Sequence, residues 1–87
     1  MNIKDELLVI IDNEIGDDLN TSIYDIPLDD ELFQYGIDSL NIMKVILGIE
    51  EKYDVVYDDE ELNIENFMTI SAICHTVEEK LGIENEN

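Results

Sequence analysis

Arginine and tryptophan are absent from this chain of 87 residues, and lysine occurs only four times. The 23 acidic residues therefore leave a formal net charge of −19 at pH 7. This composition excludes direct nucleic-acid binding, because contacts to phosphates need clustered lysine and arginine side chains. An anionic membrane surface would repel the chain for the same reason. A basic protein partner is favoured instead, because long-range attraction steers oppositely charged surfaces together.

Cysteine is nearly absent too, and the single Cys74 cannot form an intramolecular disulfide, so no secreted disulfide scaffold is indicated. The longest uninterrupted apolar runs, such as residues 7–11, hold five residues, whereas a membrane-spanning helix needs about 20. The acidic residues that follow Lys4 do not fit a signal peptide. We therefore expect a monomer in a reducing cytoplasm, without membrane insertion. The initial Met1 and the lack of linker-like flanks favour a free-standing protein.

Hydrophobic residues nevertheless make up 45% of the chain. This content argues against disorder, since disordered chains combine high net charge with few apolar residues. We expect residues 1–87 to form one domain, because a chain of this length builds a single small core. Residues 84–87 are expected to be a frayed tail.

Two apolar patterns with helical spacing predict the first two helices. The first predicted helix spans about residues 3–15, and Gly16 offers its stop. The second begins at Asp38 and Ser39, which have good N-cap chemistry, and runs to about Tyr53.

The rest of the chain predicts one short and one long helix. A short third helical turn is expected near residues 59–65. The last helix begins after the cap Thr69 and ends at Gly82. Its apolar face carries Ile70, Ile73, Val77 and Leu81. No segment alternates at period two, so the predicted fold is an all-α small bundle of the four-helix type, with three longer helices and a short third one.

A long connection, residues 17–38, joins the first two predicted helices and contains the only proline, Pro27. One short helical turn is expected within residues 29–33. A connection of this length is uncommon in a compact domain and is usually functional. Its predicted apolar anchors are Ile23, Ile26, Leu28, Leu32 and Phe33.

The second predicted helix has two apolar faces. One is a core face formed by Ile42, Val45, Ile46, Ile49 and Tyr53. The other lies more than a third of a turn away and is formed by Leu40, Met43 and Leu47, at spacing i, i+3, i+7. Two interpretations follow: both faces are buried in the bundle, or the second stays exposed as a docking face.

The start of the second helix offers an exposed hydroxyl at Ser39. A phosphate ester there would be stabilised by the unpaired N–H groups and the positive end of the helix dipole. Taken alone, these residues also fit a plain turn and helix cap. Residues 32–40, LFQYGIDSL, resemble the attachment motif of acyl and peptidyl carrier proteins: Gly-x-Asp-Ser-Leu before an amphipathic helix that ends in acidic residues and an aromatic, here residues 50–53. Length, helix order and acidity resemble that family over the whole chain.

The resemblance implies a carrier protein that is not itself an enzyme. Ser39, flanked by Asp38 and Leu40, would receive 4′-phosphopantetheine from coenzyme A through a separate phosphopantetheinyl transferase. The arm would then carry acyl or aminoacyl groups as thioesters between activating and transferring enzymes with basic docking patches. The residues that would face these partners are Met43, Lys44, Leu47, Glu50 and Glu51.

Some positions depart from carriers of fatty-acid synthesis. Asn41 and Lys44 stand where many of those carriers have acidic residues, and the stretch from 53 to 69 is about two residues longer. Residues 65–70, ENFMTI, resemble carriers that serve D-alanine transfer, polyketides or non-ribosomal peptides. A specialised pathway is therefore favoured over bulk fatty-acid synthesis.

Other functions fit the sequence less well. A hydrolase would need a histidine placed by an acid, but the only histidine, His75, adjoins Cys74 on a helix, where neighbours do not face each other. These two residues are expected to be a surface imidazole and a small core side chain. The acidic runs lack EF-hand spacing, so we expect no metal site and only weak association with divalent ions. The remaining alternative is an acidic interaction protein that mimics nucleic acid and needs no modification.

Overall fold

The computed structural model describes residues 2–82, which form three α-helices and four short 3-10 helices, without a strand in that range. The α-helices are α1 (Ile3–Ile15), α2 (Ser39–Tyr53) and α3 (Ile70–Leu81). The 3-10 helices span Gly16–Asp18, Ile23–Asp25, Leu32–Tyr35 and Ile64–Phe67. The all-α prediction is confirmed. The tail predicted at 84–87 lies outside the described residues, and no helix within them is long and apolar enough to cross a membrane.

Side-chain caps determine where the long helices begin. The Asn2 carboxamide accepts a hydrogen bond from the Asp5 amide at 2.9 Å, and the Thr69 hydroxyl accepts one from the Ala72 amide at 2.9 Å. Each satisfies an N–H group that has no partner within its helix. At the other end of α3, Gly82 has a φ of 69°, a left-handed conformation that suits glycine.

The core lies between the three α-helices and the connection before α2. Gly48 marks the close approach of α2 to α1: a Cβ there would lie 3.0 Å from Glu14 Cγ and 3.1 Å from Ile10 Cγ2. The fully buried large side chains come from all three α-helices and from the connections before and after α2: Leu7, Ile11, Ile15, Ile23, Leu32, Ile42, Val45, Ile49, Phe67, Ile70, Ile73 and Val77. Burial on this scale holds the bundle together against its net charge.

The connection between α1 and α2 is better ordered than a plain loop. It contains three 3-10 helices instead of the single turn predicted at 29–33. Two backbone bonds tie it to the start of α3, from Leu32 N to Met68 O at 2.7 Å and from Ser71 N to Leu28 O at 3.0 Å. Of the five predicted anchors, Leu28 is wrong, because its carbonyl contacts α3 while its side chain is 38% exposed. Phe33 is half-buried against the core.

The predicted short third helix is a 3-10 helix, Ile64–Phe67, and lies slightly later than expected. Residues 58–61 form a turn instead, with a bond from Glu61 N to Asp58 O at 2.9 Å. The Asn63 side chain then caps the 3-10 helix, and the buried Phe67 anchors it. Within residues 2–82 the bundle therefore has three longer helices, as predicted, and its short helix is a 3-10 helix rather than an α-helix.

Candidate attachment site at the start of α2

Ser39 is the first residue of α2, and its side chain is exposed. Asp38 precedes it as the N-cap, with an extended backbone. Within residues 2–82 the Ser39 hydroxyl forms no hydrogen bond. The hydroxyl is therefore available for modification at a fixed point of the backbone.

A capping box surrounds this serine. Asp38 Oδ1 accepts from the Asn41 amide at 3.1 Å, and Asn41 Oδ1 accepts from the Asp38 amide at 2.8 Å. The amides of Ser39 and Leu40 have no acceptor within the described residues. Two free N–H groups at the positive end of a 15-residue helix can stabilise a phosphate diester on the adjacent hydroxyl. The residues present therefore fit the phosphate of a phosphopantetheine arm, whose thiol supplies thioester chemistry when bound.

The loop before Ser39 is fastened to the end of the first 3-10 helix. Gly36 has a φ of 95°, and a Cβ there would lie 3.5 Å from Asp18 O. The Asn20 amide donates to Tyr35 O at 2.9 Å. Asn41 Nδ2 donates to Asp18 Oδ2, also at 2.9 Å. Asp18 was not predictable as part of this site from the sequence, because its partner lies 23 residues further along the chain.

The two apolar faces of α2 differ in exposure. The core face is buried at Ile42, Val45, Ile46 and Ile49. Tyr53 is only half-buried there, and its hydroxyl donates to Glu6 Oε1 at 2.7 Å. Burial is the main cause that raises the pKa of Tyr53, and the hydrogen bond to the Glu6 carboxylate is the next. The second face is exposed, with 69% of Leu40, 45% of Met43 and 61% of Leu47 accessible to solvent. The structure thus rules out the interpretation in which both faces are buried.

The polar residues predicted to face partners fall into two groups. Lys44 and Glu51 are exposed and form no ion pair with any residue of 2–82. Glu50 is half-buried, and its Oε2 accepts from the Tyr57 amide at 2.9 Å. One oxygen of Glu50 is therefore engaged in holding the next connection. Roles in docking stay predictions for all three.

The remaining reactive side chains do not join this site. Cys74 is half-buried, and burial raises the pKa of its thiol, which disfavours the reactive thiolate form. The His75 imidazole is exposed, 3.4 Å from Glu79. A crevice of about 370 Å³ between the start of α1 and α3 is lined by Lys4, Cys74 and six other residues, none of them in the motif. Within residues 2–82 no three potential ligands cluster around a metal position.

The chain is similar to known proteins of one family. A family model described as "Phosphopantetheine attachment site" matches residues 10–77. The D-alanyl carrier protein of Leuconostoc citreum is 26% identical over 83 residues, which cover 94% of this chain and 100% of that protein. The aminoacyl carrier protein of Agrobacterium fabrum is 36% identical over 59 residues, covering 68% and 71%. An acyl carrier protein of Exiguobacterium is 27% identical over 82 residues, covering 90% and 98%.

Solved structures agree. A crystal structure of an engineered Bradyrhizobium japonicum glycine:[carrier protein] ligase, complexed with a carrier protein from Agrobacterium tumefaciens and ATP, contains a chain with a TM-score of 0.70 and 30% identity. The match covers 83% of this chain and 96% of that one. This chain therefore belongs to the phosphopantetheine-attachment family of carrier proteins, which hold cargo on a 4′-phosphopantetheine group and are not themselves catalysts.

Proposed function

We propose that Ser39 is the attachment residue and that this carrier holds an aminoacyl group in a specialised pathway. The Ser39 oxygen bonds to the phosphorus that bears the pantetheine in coenzyme A. The pyrophosphate bond of coenzyme A breaks, adenosine 3′,5′-bisphosphate leaves, and the hydroxyl proton goes to a base. A separate phosphopantetheinyl transferase would supply that base and Mg²⁺. Within residues 2–82 no side chain is hydrogen-bonded to the Ser39 hydroxyl.

One observation carries the choice of Ser39: it is an exposed serine, without a hydrogen bond, at the N-terminus of an α-helix whose next turns expose apolar side chains. The other serines of the chain lie in different settings. The Ser22 hydroxyl accepts from the Tyr24 amide at 3.2 Å, and Ser71 is half-buried at the start of α3.

Docking on this carrier would use the exposed face of α2. Leu40, Met43 and Leu47 form its apolar centre, and the charged positions beside it are Lys44, Glu50 and Glu51. The net charge of −19 favours fast encounter with a basic patch. Covalent tethering then keeps the cargo at high effective concentration near each partner site, within reach of the arm. The protein would act as a monomer that visits several enzymes in turn.

The relatives' names support aminoacyl cargo. Two of the matched proteins are D-alanyl carrier proteins, one is an aminoacyl carrier protein, and two of the matched structures are complexes with an engineered glycine:[carrier protein] ligase. An acyl group is the second candidate, because an acyl carrier protein also matches over 90% of the chain. Intact mass distinguishes the two kinds of cargo. The holo-protein is incubated with ATP and the glycine ligase plus glycine, or with ATP and an acyl-activating enzyme plus a fatty acid. The cargo is the group whose mass the protein gains.

Attachment itself is tested by intact mass after incubation with coenzyme A, Mg²⁺ and a permissive phosphopantetheinyl transferase. We expect the wild type to gain one phosphopantetheine, Ser39→Ala to gain none, and the matched control Ser22→Ala to gain as much as the wild type. If only Ser22→Ala failed to gain phosphopantetheine, the attachment residue would be Ser22 and not Ser39. No gain in the folded wild type would favour the acidic mimic, whose binding Ser39→Ala would leave intact.

A further inference from the structure

Two hydrogen bonds join the start of α2 and the loop before it to the segment 18–20 of the preceding connection. One is formed by backbone groups, from Asn20 N to Tyr35 O. The other is formed by side chains, from Asn41 Nδ2 to Asp18 Oδ2. Asn41 is thus the side chain that bridges the start of α2 and the connection.

Asn41 performs two hydrogen-bonding tasks at once. Its carbonyl oxygen accepts from the Asp38 amide at 2.8 Å, and its amide nitrogen donates to Asp18 at 2.9 Å. A carboxamide can do both because it carries an acceptor and two donors, whereas an ionised carboxylate only accepts. An aspartate here could keep the capping bond but would place a third carboxylate beside Asp18 and Asp38, where like charges repel.

We propose that Asn41 is a positioning residue for phosphopantetheine transfer, which holds the Ser39 loop against the connection through Asp18. This proposal rests on Ser39 as the attachment residue, and it adds a role for the side-chain carboxamide of Asn41. Asn41 is hydrogen-bonded to Asp38 and Asp18 and not to the Ser39 hydroxyl. It acts by keeping the loop and the first turn of α2 in one arrangement, so that the hydroxyl is presented to the transferase without prior ordering.

Amide hydrogen exchange in the full-length protein tests the bridge directly. The Asn20 amide reports separation of the two segments, because its acceptor is Tyr35 O. We expect Asn41→Asp to speed its exchange about tenfold, the factor that one charge-assisted hydrogen bond of modest strength contributes. The amide of Ile73, bonded to Thr69 O in α3, should keep its protection.

Asp18→Asn combined with Asn41→Asp exchanges the amide and the carboxylate and keeps the net charge. This pair should restore both the exchange rate of Asn20 and the kcat/KM of phosphopantetheine transfer, which we expect Asn41→Asp to lower by a similar factor. The matched control is Asp25→Asn combined with Asn41→Asp. It has the same net charge, and Asp25 is an exposed residue of the same connection, so this control should rescue neither property.

Three results would overturn the proposal. In the first, Asn20 exchanges equally in the wild type and Asn41→Asp. In the second, the Asp25 control rescues as well as the Asp18 pair, which would make the effect one of charge alone. In the third, the Ile73 amide also loses protection, which would make Asn41 a residue of general stability. If the wild type gains no phosphopantetheine, the proposed function fails, and the exchange data still decide whether the bridge exists.

Discussion

The two faces of α2 contain similar aliphatic side chains in opposite surroundings. Val45 and Ile49 are fully buried against the rest of the bundle, whereas Leu40 and Leu47 are more than half exposed. Burial of the first face stabilises the fold through the hydrophobic effect. The second face contributes no such stabilisation while it is exposed to water. A partner that covers it would gain favourable free energy from burying the same kind of side chain. The fold and the docking proposal thus depend on different sides of one helix.

Shortening one aliphatic side chain on each face of α2 should have unequal effects on stability. Ile49→Ala should lower the free energy of unfolding by about 3 kcal/mol, because it leaves a cavity in the packed core. The matched change Leu47→Ala should cost less than about 0.5 kcal/mol, since that side chain is 61% exposed. Chemical denaturation of both variants measures the difference. Equal losses would mean that the second face is covered in solution.

A charge placed on the exposed face should affect encounters with partners and leave folding alone. We expect Leu47→Asp to lower the kcat/KM of phosphopantetheine transfer about tenfold, the effect of losing one central interface side chain. Its melting temperature should stay close to that of the wild type. Intact-mass time courses with limiting transferase give the rate, and Val9→Asp is the control, because Val9 is also exposed, at 48%, but lies on α1. A loss as large in Val9→Asp would remove α2 as the docking helix.

Features that depend on neighbouring residues were predictable from the sequence. The bounds of α1, α2 and α3 follow from apolar spacing and from caps such as Asp38, Thr69 and Gly82, and the structure confirms them. The division of α2 into two apolar faces also follows from spacing. Whether the second face was covered depended on tertiary packing, and spacing left both outcomes open.

Features that join distant residues were not predictable. The bond from Asn41 to Asp18 spans 23 residues, and that from Tyr57 to Glu50 engages a side chain that the sequence assigned to partners. The short third helix was placed too early, since four residues carry too little periodicity to separate a 3-10 helix from an α-helical turn.

The two lysines of α2, Lys44 and Lys52, separate the effect of local charge from that of net charge. Lys44 lies beside the exposed apolar face and should weaken attraction to a basic patch, whereas Lys52 lies at the C-terminal end of the helix. We expect Lys44→Glu to raise kcat/KM with the transferase about threefold at low salt, as one exposed charge contact allows. Lys52→Glu makes the same change in net charge and should have a smaller effect. The difference should shrink at high salt, where charges are screened. Equal effects of the two variants would mean that only net charge matters.

On α3, by contrast, a lysine contributes to the fold itself. Lys80 Nζ on α3 lies 2.7 Å from Glu61 Oε1 and 5.7 Å from the centre of the Tyr57 ring, so this cation fastens the connection between α2 and α3, residues 54–69, to α3. The hydrogen bond from Lys80 and then that from the Asp58 amide lower the pKa of Glu61. The folded protein therefore binds this proton less tightly than the unfolded chain. The resulting stability is present above the ordinary glutamate pKa of about 4.3 and is lost as the pH falls through the lowered value.

Glu61→Gln should consequently melt below the matched variant Glu51→Gln at pH 7. The comparison with Glu51 is needed because removing any carboxylate from a chain of charge −19 relieves self-repulsion. Glu51 is exposed on α2 and forms no ion pair within residues 2–82, so its variant measures that relief alone. The gap between the two melting temperatures should narrow as the pH falls through the lowered pKa of Glu61, because the protonated side chain no longer attracts Lys80. A gap that persists at low pH would mean that Glu61 acts through packing and not through its charge. If there were no gap at pH 7, the ion pair between Lys80 and Glu61 would contribute nothing to stability.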